Sequence, residues 1–364
     1  MNPVLSLVVP VYNLELYVQR CLQSLVDQTL ADIEILAVDD GSTDDSPALI
    51  AEFAARDGRV RHVRKVNGGH GSACNAGIEQ ARGKYVVFVD GDDWLEPDTC
   101  AFMVERAEQT GADLVMGQLK YFFADGRTDH HNPLPLQSEQ TLDGAGKSEL
   151  FRNWATPNAR LYRRTMFEDA AVRFLPGIIF ADVNFCPKSY LAAQRIHYVP
   201  RPLYNYDLTR PTQSMKQTDK RVMNVVPSLR DMLAFYRAKG AFEPWRDELC
   251  TYTVRHCVSW FERVKLLGDM DRTVALRELM AVLDDHFGDG WTGEPLETFA
   301  GRRKALLIRA ARALDYRPLP ALWELPSRIA AADDRVERVL GSPLSAWQGM
   351  KQRVKSRLFS ALSV

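Results

Sequence analysis

Several familiar signatures are missing from this sequence, and each absence removes a class of function. No apolar run approaches the roughly 18 residues of a bilayer span. The N-terminus leads directly into a strand-like segment, without the basic region and apolar run of a secretory signal. The six cysteines, Cys21, Cys74, Cys100, Cys186, Cys250 and Cys257, form no CxxC pair, and no histidine cluster joins them at zinc spacing. That usage fits reduced thiols in a cytosolic protein. The one glycine-rich loop, Asn67–Ser72, lacks the Gly-Lys-Ser/Thr ending of a P-loop and is not the dinucleotide GxGxxG. Net charge is −1, and no nucleic-acid-binding motif is present, so nucleic acid is not an expected partner.

What is present is a 364-residue chain, long enough for two domains, with an uneven charge distribution. Residues 1–110 carry 18 acidic and 9 basic residues, a balance of −9, whereas residues 301–364 carry 13 basic and 5 acidic, a balance of +8. The organising stretch is Tyr85-Val86-Val87-Phe88-Val89-Asp90-Gly91-Asp92-Asp93-Trp94. Five apolar or aromatic residues in a row read as a strand buried on both faces. Three carboxylates within four positions then place acids at the strand's C-terminal edge, where open α/β sheets bind ligands. Crowded hard oxygens suit Mn²⁺ or Mg²⁺ shared with substrate phosphates. A helix start capped by Asp92 or Asp93 near Pro97 is the alternative.

Strand-like and helix-like segments alternate before and after this stretch. Leu5–Val11 reads as a strand ending at Pro10, Leu14–Gln28 as an amphipathic helix, and Ile33–Val38 as a strand running into Asp39-Asp40-Gly41-Ser42. A helix to about Arg56 follows, then a strand over Val60–Val66, the glycine loop, and a helix over Ala73–Ala81 whose N-terminal N–H groups suit an anion. Beyond the acidic stretch come a helix over Pro97–Gln109 and a strand around Ala112–Met116. This rhythm predicts a parallel α/β sheet. Right-handed crossovers bring the strand ends, and hence Pro10, Tyr12, Asp39, Asp40, the glycine loop and Asp90–Asp92, to one crevice.

Four segments in order, LSLVVPVYN (Leu5–Asn13), VDDGSTD (Val38–Asp44), NGGHGSACNAG (Asn67–Gly77) and YVVFVDGDD (Tyr85–Asp93), resemble the motifs of family 2 glycosyltransferases. The resemblance is most specific over residues 3–120 and continues more loosely to about 216. It implies a Rossmann-like GT-A fold with a mainly parallel central sheet over residues 1–218, and a mainly helical region over 219–364. It also implies a nucleotide-sugar donor, preferably a UDP-sugar, and an inverting, metal-assisted transfer. By resemblance, Asp92 is the metal ligand and Asp90 holds the ribose or metal region. Asp40 with Asp39 faces the nucleobase, lined by Tyr12 and Pro10, and Asn67, Gly71 and Asn75 belong to the donor side. Pro157–Arg163 resembles the acceptor-side "nKLYrr" segment. Phe174–Val183 resembles "F-x-x-G-x-x-x-E-D", with Ala181 in place of the Glu and Asp182 retained as the candidate base. Arg210 and Ser214 resemble the closing "R-x-x-S" and are candidates for diphosphate contact.

Residues 121–150 are polar and aperiodic, and read as a loop or hairpin over the site, with His130 and His131 on a solvated loop. From about Lys220 the pattern is helical. Asp284–Glu297 reads as a boundary or exposed loop. Arg302–Leu314 and Lys351–Leu362 read as basic amphipathic helices. The second could bind an anionic membrane surface peripherally at the inner face of the cell membrane, or simply dock on the protein. Members of this family often extend capsules, teichoic acids or lipid-linked oligosaccharides, so the implied acceptor is a glycan, a polyol-phosphate or a lipid-linked glycan. Two rivals remain: a non-catalytic nucleotide-binding protein that keeps the fold, for which Ala181 speaks, and a transferase for a non-sugar group such as glycerol phosphate.

Overall fold

The computed structural model describes residues 2–313 apart from 132–133, 135, 154, 169–171, 211–218, 265–266 and 268. Ser214 and the 351–362 segment lie outside the described residues. The chain divides into two compact units, Met1–His256 and Cys257–Val364.

In the first unit, β1 (Leu5–Val11), β2 (Ile33–Asp39), β3 (Val60–Arg64) and β4 (Tyr85–Phe88) alternate with α1 (Val18–Val26), α2 (Ser46–Arg56) and α3 (His70–Gln80). Every residue of β1, β2 and β4 is buried, as near-continuous apolar runs in a parallel sheet require, and the buried Ser6 and Glu34 satisfy each other at 2.7 Å. β1 pairs in parallel with both β2 and β4, and β2 with β3. Pro10 does not end β1. It sits in register with Val38, one residue before the strand stops. β4 ends opposite Val8, so the missing Pro10 N–H faces no partner strand on that side.

After α4 (Thr99–Thr110) the regular alternation stops. β5 (Leu114–Phe122) forms a hairpin with β6 (Thr128–His131), and β7 (Gln140–Leu142) is short. β8 (Arg160–Arg163) inserts antiparallel between β4 and β5, and β9 (Ile196–Asp207) runs parallel to β5. The order is β3-β2-β1-β4-β8-β5-β9-β7, with β6 paired to β5. The insertion of β8 carries the "nKLYrr" segment to the acidic end of β4.

Gly77 sets how closely α3 approaches the sheet. A Cβ there would stand 2.2 Å from Val8 Cγ1, so only a glycine lets helix and strand touch. Beneath the site, Phe88, Tyr162, Phe174 and Phe185 form an aromatic cluster, and Phe174 stacks on Phe185 at 3.8 Å. This cluster anchors the loop that leads into α5 (Asp182–Ala192).

α6 (Val225–Ala238), expected in a separate helical region, packs on α5 within the first unit. Asp231 accepts from Asn184 Nδ2 at 2.6 Å and pairs with Lys188, and Tyr236 Oη donates to the Pro187 carbonyl at 2.8 Å. In the second unit, Asp284–Glu297 is not an exposed loop. After α7 (Arg246–Val264), which begins in the first unit, α8 (Asp269–Phe287) runs through Asp284, and a turn at Gly290–Thr292 buries Trp291 and sends its Nε1 to Asp284 Oδ1 at 3.0 Å. α9 (Glu294–Ala313) breaks at Gly301, where φ is 71°. No helix among the described residues is long and apolar enough to cross a membrane.

Candidate active site

The ends of β1, β2, β3 and β4 converge as the topology requires. Asp39 closes β2 fully buried, its Oδ1 accepting from Ser42 N at 2.8 Å and its Oδ2 lying 3.4 Å from Arg64 Nε. Asp40 accepts from Lys65 Nζ at 2.6 Å, from Gly68 N at 3.0 Å and from Gly69 N at 2.8 Å. Its own carbonyl accepts from Asn67 Nδ2 at 3.0 Å. The acidic pair thus closes the turn against the glycine loop. Tyr12 stands beside it, 49% exposed.

Asn75 and Gly71 lie on α3. Both polar ends of the Asn75 amide bind the Phe174 backbone, at 2.9 and 3.1 Å. Asn75 therefore clamps the Asp182 loop to α3 and positions the site through that loop.

The three carboxylates after β4 have separate fates. Asp90 Oδ1 meets His70 Nε2 at 2.8 Å, and its Oδ2 accepts from Asn158 Nδ2 at 3.0 Å. Burial opposes ionisation of Asp90, but His70 and Asn158 overcome it and hold the carboxyl below its usual range. Asp92 is buried and pairs with Arg210 Nε at 3.2 Å. Burial first, then Asp90, pushes its pKa up, against the pull of Arg210. Asp93 neither caps a helix nor faces the site. It accepts from Tyr204 Oη at 2.7 Å and Asp207 N at 2.8 Å, tying β9 to the acidic loop. α4 opens only at Thr99, with Asp98 at its N-cap position, so neither Asp92 nor Asp93 starts it.

The carboxylates suit a divalent cation by donor type and by crowding, since Asp90 and Asp92 repel each other and Arg210 only partly offsets that repulsion at Asp92. Among the described residues no group of three or more His, Cys, Asp or Glu side chains gathers to hold a metal. The protein would supply Asp92 and leave the other positions to phosphate oxygens and water, as Mg²⁺-type sites commonly do.

Asp182 is the first residue of α5, and the N-cap position belongs to Ala181. Phe180 before it takes a left-handed φ of 63°, a conformation that costs about 1–3 kcal/mol for a bulky residue. Burial of the Phe180 ring and a 2.9 Å bond from Ser228 Oγ to its carbonyl hold it there. Burial pushes the Asp182 carboxyl up to about 6, with His70 opposing and Asp90 adding to the rise.

Sequence reasoning did not single out His70, Asn158 or Tyr204, all of which touch the acidic loop. His70 fills a variable position of the glycine motif, Asn158 is one letter of the looser Pro157–Arg163 segment, and Tyr204 one letter of Pro202–Tyr206, which resembles the family's closing "plY-x-Y". Desolvation opposes charge on His70, while Cys74 and Asp90 raise its pKa well above the usual value. Burial also raises the Cys74 thiol, so Asp90, 2.8 Å from Nε2, is the anionic neighbour that favours the protonated ring.

Residues 6–170 match the family model for glycosyl transferase family 2. Two Bacillus subtilis (strain 168) proteins align with most of the chain. EpsH, named as a glycosyltransferase, is 32% identical over 327 residues, covering 88% of this chain and 93% of its own. EpsJ, named an uncharacterized glycosyltransferase, is 34% identical over 266 residues, covering 70% and 76%. S. aureus TarS 1–349, solved in complex with UDP, superposes with a TM-score of 0.68 at 20% identity over 89% of this chain and 91% of its own, a likeness of fold. With most of EpsH's length matched and the TarS fold shared, the chain belongs to glycosyltransferase family 2 and is a glycosyltransferase of the GT-A fold.

Proposed function

We propose that this enzyme takes a sugar from a nucleoside diphosphate donor, preferably a UDP-sugar, and transfers it with inversion to a hydroxyl of a cell-surface glycan, a polyol-phosphate or a lipid-linked glycan. The observation that carries this reading is the Asp90 and Asp92 carboxylates at the end of β4 together with Asp182, which senses the charge of Asp90 and is pushed by burial up to about 6, a base near neutrality. The acceptor oxygen attacks the anomeric carbon as the bond to the diphosphate oxygen breaks. The hydroxyl proton passes to Asp182, and the electron pair leaves with the diphosphate. Asp92 would hold Mn²⁺ or Mg²⁺, which supplies charge neutralisation at the leaving group when bound. Arg210, already on Asp92, would contact the same phosphates, and Ser214 takes that role from the family resemblance alone. Pro10, Tyr12, Asp39 and Asp40 line the nucleobase end, and Asn67, Gly71 and Asn75 shape the loop beneath the donor.

TarS has been solved with UDP and with UDP-GlcNAc, which favours a uridine donor here. The basic segment 301–364 would keep the enzyme at the inner face of the cell membrane, near a lipid-linked or growing acceptor. A panel of nucleotide-sugars, scored for Mn²⁺-dependent hydrolysis and for thermal stabilisation, tests the reading. One UDP-sugar should stand out in both. Hydrolysis of none and stabilisation by none would refute it.

A further inference from the structure

His70 opens α3 between Gly69 and Gly71 and is held on three sides. Its Nε2 lies 2.8 Å from Asp90 Oδ1. Its ring meets Phe174 edge-on, with centroids 6.1 Å apart. One helical turn along, Cys74 Sγ lies 3.7 Å from Nε2 and 3.9 Å from Nδ1. Yet 45% of the side chain is open, against 25% for Asp90. A ring so fixed, with one edge exposed beside a carboxylate, has little orientation left to lose when a ligand arrives.

The adjacent residue locates that edge. A Cβ on Gly71 would stand 3.1 Å from Ala181 Cβ and 3.0 Å from both Phe174 Cβ and the Leu175 carbonyl oxygen. The first turn of α3 therefore packs directly on the residues that precede Asp182. The family pattern carries a Glu at position 181, and this chain carries a methyl group there. The ionisable side chain of that turn is His70, whose ring touches Phe174, one of the residues Gly71 packs on. It bonds Asp90 on one side, and its charge is felt by Asp182 on the other. Asp90 marks the donor end of the reaction and Asp182 the acceptor end. A residue between them lies beside the ring being transferred.

We propose that His70 is a donor-sugar contact which, paired with Asp90, holds one hydroxyl of the transferred sugar. The carboxylate accepts the hydroxyl proton, and the imidazole N–H donates to the same oxygen. This satisfies the hydroxyl in both senses, and a deoxy sugar, which offers the pair no hydroxyl, loses both bonds. The assignment rests on the donor reading above and goes beyond it by naming the residue that selects the sugar.

The test is calorimetric titration of UDP and a set of UDP-hexoses, UDP-GlcNAc among them, into the full chain with Mn²⁺ present. His70→Ala should weaken the tightest UDP-sugar by about 10–100-fold while UDP itself changes by no more than about twofold. His70→Gln, which keeps an N–H donor, should recover part of the loss. If the alanine variant fails to fold, His70→Met fills the volume without a donor and should show the same selective loss. Equal weakening of UDP and UDP-sugar would make His70 a diphosphate or structural residue and overturn the proposal, as would unchanged binding of both. A wild-type protein that binds no nucleotide would instead overturn the donor reading itself.

Discussion

Asp182→Asn should raise stability while it abolishes transfer, and both effects follow from one pKa. The carboxyl is pushed from an ordinary 3.8 to about 6, chiefly by burial, with Asp90 adding and His70 opposing. The folded value lies above the unfolded one, so the native state binds the proton more tightly across that interval. The stability from this proton is fully present below about pH 4 and is lost as pH rises through about 6. At pH 7.5 the ionised group therefore costs the fold about 1–3 kcal/mol, from roughly two pKa units discounted for a side chain that is only partly enclosed. Asparagine matches the volume without the charge. Denaturant unfolding should show Asp182→Asn more stable than wild type by that amount at pH 7.5, and equal to it near pH 4. Transfer should fall by roughly 10²–10⁴-fold. The wild-type rise of kcat/KM with pH, centred near 6, should vanish. An asparagine variant that is less stable at pH 7.5, or that transfers at the wild-type rate, would mean that Asp182 supports the helix start and another group takes the proton.

Chelation of Mn²⁺ and Mg²⁺ should weaken UDP binding at least tenfold, about 1.4 kcal/mol, and Asp92→Asn should lose metal and donor together; equal calorimetric affinity in EDTA would sink the metal assignment. Gly77→Ala should destabilise the protein by about 1–3 kcal/mol in chemical denaturation, because overpacking against Val8 outweighs the helix propensity gained. An unchanged midpoint would mean that α3 can move away from β1 without cost. Co-sedimentation of the full chain with anionic vesicles should exceed that with neutral ones, weaken with salt, and disappear when the chain ends near Gly349. Equal sedimentation of both chains would leave the basic tail without a membrane role.

The first half of the sheet and its acidic edge could be read from residue order alone. Buried parallel strands need near-continuous apolar runs, and β1, β2 and β4 have them, broken only by Ser6 and Glu34, which bond each other at 2.7 Å, and by the closing Asp39. Each run must end near residues that leave the ladder, and those residues are Asp40, just past the last strand residue Asp39, and Asp90-Gly91-Asp92. Local chemistry thus specified the strands, and handed crossovers specified the shared edge. The wedging of β8 between β4 and β5 could not be read, because antiparallel insertion is chosen by long-range pairing and leaves no local period. Nor could the division of labour among three neighbouring aspartates. Asp93 turns to Tyr204 and Asp207, Asp92 to Arg210 and Asp90 to His70 because of what β9, the segment after it and α3 bring near. The rise of the Asp182 pKa belongs to the same class. Desolvation is a property of the enclosure, and the enclosure exists only once α6, the Phe174 loop and the first turn of α3 have closed around the start of α5.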